Sequence, residues 1–174
     1  VMDAKVGQIV NNLEEDGLME NTMIFFFSDH GHGLPRYKRW LNITGLRVPF
    51  VAWVPEKFRH LAKNSPGSEN DDLISFVDFA PTVLNIAGIE IPGHMNGKPL
   101  LGKNLPAPHD HLFASRDRAD DMYEVSRAIH DKDFIYIRHY LPHLPWFQPG
   151  IINSEEKESH RALQNARRSG VMPP

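Results

Sequence analysis

An acid, two histidines and a lysine fall within ten residues of this chain. Ser28-Asp29-His30-Gly31-His32 ends an apolar run, and Lys38 follows in a basic loop with Arg36, Arg39 and Arg47. A carboxylate oxygen and an imidazole nitrogen form a mixed ligand pair for a divalent cation. In an open α/β sheet, groups at the carboxyl end of a strand face the crevice where such folds bind ligands. Gly31 permits unusual dihedrals, so that two consecutive side chains can turn toward one cation. A cation and a lysine aimed at one spot suit sulfate or phosphate, whose negative charge builds up in a transition state. The same residues also fit a capping acid, a loop histidine with a backbone partner and a solvated basic loop, and a short motif does not choose among these readings.

The elements that must position these groups follow from periodicity. Val6, Ile9, Val10 and Leu13 recur at helical spacing, so residues 3–16 read as a helix that Gly17 stops. MIFFFS (23–28) is a short buried strand, and RVPFVAWV (47–54) reads as a second, parallel one. NSPGSENDD (64–72) is a polar loop. SFVDFAPTVLNIAG (75–88) is a helix with Asp78 as its N-cap, Pro81 in its first turn and Gly88 at its end. After a proline-rich stretch (91–108), short strands are expected at 111–117, 124–131 and 133–140. The last two flank a hairpin turn at Asp131-Lys132-Asp133. Residues 153–169 are polar helix formers. The expectation is an α/β core with helices on both faces of a mixed sheet over 1–108. A smaller antiparallel α+β subdomain with a helical tail would span 109–174.

Composition narrows the function. The net charge is −3 and the basic residues are scattered, which does not suit nucleic acid. No apolar stretch approaches the ~20 residues that cross a bilayer, and the opening VMDAKVGQ has no apolar signal region. Without cysteine the chain has no disulfide, thiolate ligand or cysteine nucleophile. A chain that opens inside an amphipathic pattern reads as a piece of a longer one.

The ordered set SDHG…KRW…GLRVPF…VDFAPTVLNIAG resembles the sulfatase family of the alkaline phosphatase superfamily. MNGKPLLG and RAIHDKDFIYIRHYLPHLPW are similar to later segments of its glycan-type members, so the resemblance covers roughly residues 3–147. It implies an alkaline-phosphatase-like fold, with Asp29 and His30 as two of four metal ligands. It makes Lys38 the lysine that contacts the sulfate and helps the departing oxygen. The metal implied is calcium, although relatives often carry Asn where His30 stands, which leaves the metal's identity open.

The family's nucleophile is a formylglycine made in a Cys/Ser-x-Pro-x-Arg motif. These 174 residues contain no cysteine, and none of their serines is followed by x-Pro-x-Arg. Two upstream Asp ligands are also absent. The chain therefore resembles the C-terminal portion of a glycan sulfatase whose N-terminal half is its partner on the same polypeptide. Alone it is expected to be inactive. In the complete enzyme the formylglycine hydrate would attack sulfur, with Lys38 and a histidine from elsewhere assisting the leaving group. The substrate implied is a sulfated carbohydrate, with Arg118 and His143 as candidate contacts. An Arg-Asp cross-strand pairing for SRDRADD and a core role for Trp146 are the bland alternatives. Glycan sulfatases are usually exported, so a periplasmic or secreted location is implied. Two rivals remain at the level of sequence. One is a two-metal phosphoesterase drawing on His60, His94, His109 or His111, and the other is a non-catalytic domain that binds acidic glycans.

Overall fold

The computed structural model describes residues 1–120, 122–144 and 157–171. Two compact units form: Val1–Phe27 with Phe50–Asp110, and Ser28–Pro49 with His111–Pro174. The second unit joins the loop that carries the candidate site to the C-terminal residues.

In the first unit, α1 (Met2–Glu15) ends at Asp16, and Gly17 follows at φ 67°, the left-handed turn that glycine permits. Strands β1 (Ile24–Phe27) and β2 (Phe50–Trp53) pair with Ile24 opposite Trp53 and Phe27 opposite Phe50. This pairing is antiparallel, against the parallel expectation. The chain between the two strands holds only a one-turn helix, α2 (Ile43–Leu46), and parallel neighbours need a long crossover. Apolar runs look alike in either direction, so the sequence pattern did not distinguish them.

Helix α3 (Phe79–Ile86) is preceded by a 3-10 turn, Phe76–Asp78, and stops before Gly88 at φ 71°. Asp78 is not its side-chain N-cap. It acts as the acid of a capping box and accepts the Ser75 N–H at 2.8 Å through Oδ2. Its Oδ1 takes the Lys98 N–H at 2.8 Å and lies 2.9 Å from His109 Nε2. A fully buried carboxylate thus ties the proline-rich stretch to the helix. Phe27, Phe50 and Phe76 gather around Phe79 with ring centroids 5.0–5.1 Å away.

The second unit holds a meander of β3 (Leu112–Ala119), β4 (Met122–His130) and β5 (Ile135–His139), antiparallel throughout as expected. Asp131 Oδ1 accepts the N–H groups of Asp133 and Phe134 at 2.8 and 2.6 Å, which closes the β4–β5 hairpin at the predicted turn. These two bonds hold the Asp131 carboxyl below its ordinary range. Helix α4 (Glu158–Arg168) carries the described part of the polar tail, and its buried His160 is pushed down by desolvation and then by Lys157. Trp146 and residues 153–156 lie outside the described residues. Among the described residues no helix is long and apolar enough to cross a membrane.

Candidate functional site

The candidate residues Asp29, His30 and Lys38 all lie on the loop 28–49, between β1 and β2. The loop is drawn tight by backbone contacts: Gly31 N–H reaches Gly45 O at 3.2 Å and Lys38 N–H reaches His32 O at 3.0 Å. Glycine is needed at 31 for a reason other than dihedral freedom. Its φ is not in the left-handed region, but a Cβ there would run into the Thr44 carbonyl. A Cβ on Gly45 would likewise meet the carbonyls of Tyr37 and Trp40.

Asp29 and His30 come together. His30 Nε2 lies 3.4 Å from Asp29 Oδ2, with the two side chains 37% and 81% exposed. The other ring nitrogen, Nδ1, is 2.7 Å from Gly31 O. A carbonyl can only accept, so Nδ1 carries a proton there, and Nε2 is the ring nitrogen turned toward Asp29. Two acceptors that face each other at this distance repel unless a proton or a cation sits with them. A ring oriented by a backbone carbonyl is also how a histidine is usually held for a metal. The donor set fits a divalent cation.

Of the loop's cations, Arg36 and Arg47 are exposed and Lys38 is half-buried, with no polar partner for its ammonium among the described residues. Arg39 is not part of a solvated cluster. Its Nη1 and Nη2 lie 3.0 and 3.3 Å from the two Asp120 carboxylate oxygens. Trp40 is buried under the Arg116 guanidinium, which stands 4.4 Å from its ring, and Trp40 and Met122 form a buried apolar cluster. Arg116 Nη1 in turn lies 2.9 Å from Glu124 Oε2. Glu124 Oε1 accepts from Ser126 Oγ at 2.6 Å and lies 3.0 Å from His139 Nδ1. Burial draws Arg116 down from its ordinary range, while Glu124 raises it and Arg39 lowers it further. A cavity of about 10 Å³ lies among Trp40, Asn42, Arg116, Glu124 and His139, room for one water at most.

Arg116 enters this cluster by the ordinary alternation of β3, in which Leu112, Ala114 and Arg116 share the inward face. The β3–β4 register shifts between Arg116 and Arg118, so Asp117 and Arg118 both face outward while Arg116 and Ala119 face in. Asp117 pairs with Arg127 across the strands at 2.6 Å, the ordinary cross-strand partnership. Arg118 Nε donates to Asp120 O at 2.8 Å, which places it at the turn that holds Arg39. His143 lies in an exposed turn after β5. Of the histidines weighed for a second metal, His109 is committed to Asp78, while His60, His94 and His111 are exposed. Among the described residues no group of three or more His, Asp or Glu is arranged to hold a metal.

The family model described as Sulfatase matches residues 1–89, over half of the chain and the whole of this loop. The chain belongs to the sulfatase family. Sulfatases as a family work with a formylglycine and a divalent metal. An ulvan-active sulfatase of Formosa agariphila is 43% identical over 148 residues, covering 85% of this chain and 24% of that protein. An N-acetylglucosamine-6-O-sulfatase of Bacteroides thetaiotaomicron is 32% identical over 63% of this chain and 20% of its own length. An extracellular sulfatase SULF-1 homolog of Drosophila melanogaster is 32% identical over 68% of the chain. Among solved structures, that of BT4656 in complex with its substrate D-glucosamine-2-N,6-O-disulfate superposes over 97% of this chain and 37% of the other. Its TM-score is 0.61 at 22% identity, so the fold is shared with that protein. The chain spans about a quarter of the length of its curated relatives.

Sequence reasoning missed Asp120, Arg116, Trp40 and Glu124 around the sulfatase loop. Their signal is tertiary: a bulge, an arginine folded onto an indole and a carboxylate at a hairpin turn. Lys157 was missed likewise; its Nζ donates to Gly33 O at 3.1 Å, in the space that the absent Gly33 side chain leaves.

Proposed function

We propose that the polypeptide carrying this chain hydrolyses sulfate esters or N-sulfates of a carbohydrate, and that Asp29, His30 and Lys38 are this chain's share of the reaction centre. Asp29 and His30 hold a divalent cation, calcium in this reading, together with ligands from outside the chain. When bound, that cation supplies positive charge against the negative charge that accumulates on the sulfuryl oxygens. Asp29 contributes an anionic oxygen. His30 contributes Nε2, kept available because Nδ1 is engaged by Gly31 O. Lys38 directs its ammonium to the sulfate, donates a hydrogen bond to the departing oxygen and stabilises the charge that develops there. Arg118 and His143 contact the sugar. The formylglycine nucleophile lies outside these residues, and the chain by itself does not turn over sulfate esters. Homologues described as extracellular support a periplasmic or secreted location.

The observation that carries this reading is the convergence of His30 Nε2 and Asp29 Oδ2 to 3.4 Å, in a ring held through Nδ1 by the Gly31 carbonyl. Isothermal titration of calcium into the complete polypeptide tests it. Asp29→Ala is expected to abolish measurable binding and sulfate-ester turnover together. Undiminished calcium and zinc binding in that variant would instead favour a glycan-binding role for the basic loop.

A further inference from the structure

Lys38 belongs to no helix or strand, yet an ammonium that assists a leaving group must be held to within ~0.5 Å of its productive place. Its own N–H is anchored to His32 O. On its other side, Arg39 adopts φ 73°, a left-handed backbone that bulky side chains avoid. Such a conformation is strained and persists only where the surroundings over-determine it. What surrounds it is the forked contact of both guanidinium ends with both Asp120 oxygens. The side chains are 26% and 15% exposed, so the pair is not the solvated kind that contributes little. Asp120 is itself left-handed, at φ 53°, where the chain turns from β3 to β4. One ion pair thus holds two strained backbone positions against each other, and Trp40 under Arg116 fixes the next residue along the loop.

We infer that the Arg39–Asp120 pair positions Lys38 for leaving-group assistance, with Asp120 a positioning residue that touches no substrate. The inference rests on the reading of Lys38 given above. Loss of the Asp120 carboxylate removes the fork that holds Arg39 in its left-handed backbone, and a shift of Arg39 carries Lys38 with it. Displacing a reacting group by ~1 Å can cost on the order of 10²-fold in rate. The loss falls on the step that Lys38 assists, not on cation or substrate binding.

The complete polypeptide is assayed on 4-nitrophenyl sulfate, whose leaving group needs little help, and on a monosaccharide 6-sulfate, whose alkoxide needs much. Asp120→Asn is expected to lower kcat on the sugar sulfate by about tenfold or more, and far less on the aryl sulfate, with KM and calcium affinity within about twofold. Arg39→Lys, which keeps the charge but loses the fork, is expected to give the same pattern and stands in if Asp120→Asn fails to fold. In a Lys38→Ala background Asp120→Asn is expected to add nothing, because it acts only through the lysine. Equal losses on both substrates, or losses that multiply with Lys38→Ala, would overturn the inference. A Lys38→Ala variant with unchanged leaving-group dependence would instead overturn the reading of Lys38 itself.

Discussion

His30 gives one nitrogen to its neighbour's carbonyl and turns the other toward Asp29, and that arrangement is a property of three consecutive residues. That Asp29, His30 and Lys38 share one loop after β1 was legible in the sequence, since short spacings carry it. Asp120 was not. It is 81 residues from Arg39 and its side chain acts through a fold the sequence does not display. Gly31 was read for its conformational freedom, whereas its function in the structure is to let the Thr44 carbonyl approach. At this scale the sharpest expectation concerns Lys38. If Lys38 donates to the developing charge as proposed, replacing it by Ala is expected to lower kcat on a sugar sulfate about 10²- to 10³-fold with little change in KM. Steady-state kinetics of the complete polypeptide check this; a raised KM at unchanged kcat would mean that the lysine serves binding alone.

Strand β4 shows why elements were easier to read than their contacts. Its alternation is clean, but the inward positions are Met122, Glu124, Ser126 and Ala128, so half of its buried face is polar. Those groups are tolerated because Arg116 and His139 answer Glu124, and the register shift between Arg116 and Arg118 leaves no mark in composition. The β4–β5 hairpin was legible because Asp131 closes it locally, whereas the direction of β2 was not, since an apolar run is the same read either way. A consequence at this scale is that Glu124→Ala leaves the Arg116 guanidinium buried without its carboxylate. That is expected to cost about 3–5 kcal/mol, seen as a lower denaturant midpoint, with Glu124→Gln losing less. Because Trp40 stacks on Arg116, the same variant should loosen the Lys38 loop. A midpoint equal to the parent's would show that the cluster contributes nothing to holding the hairpin.

Taken whole, the chain has apolar surface to spare. Val51, Trp53, Val77 and Val83 are exposed in the first unit, α1 buries no residue, and β1 and β2 make a sheet of two strands, marginal without further partners. With a chain that spans about a quarter of its relatives' length, these faces fit contacts with the rest of the polypeptide. In the proposed reading the cation takes further ligands beside Asp29 and His30, since among the described residues no group of three or more His, Asp or Glu could hold it. The most direct measurement is a crystal structure of the complete polypeptide grown with calcium and sulfate, with the ion located by its anomalous scattering. The account predicts an ion bonded to an Asp29 oxygen at ~2.3–2.6 Å and to His30 Nε2, with the Lys38 ammonium hydrogen-bonded to the sulfate. An ion coordinated without Asp29 and His30, or a Lys38 ammonium pointing away from the sulfate beside it, would contradict the account.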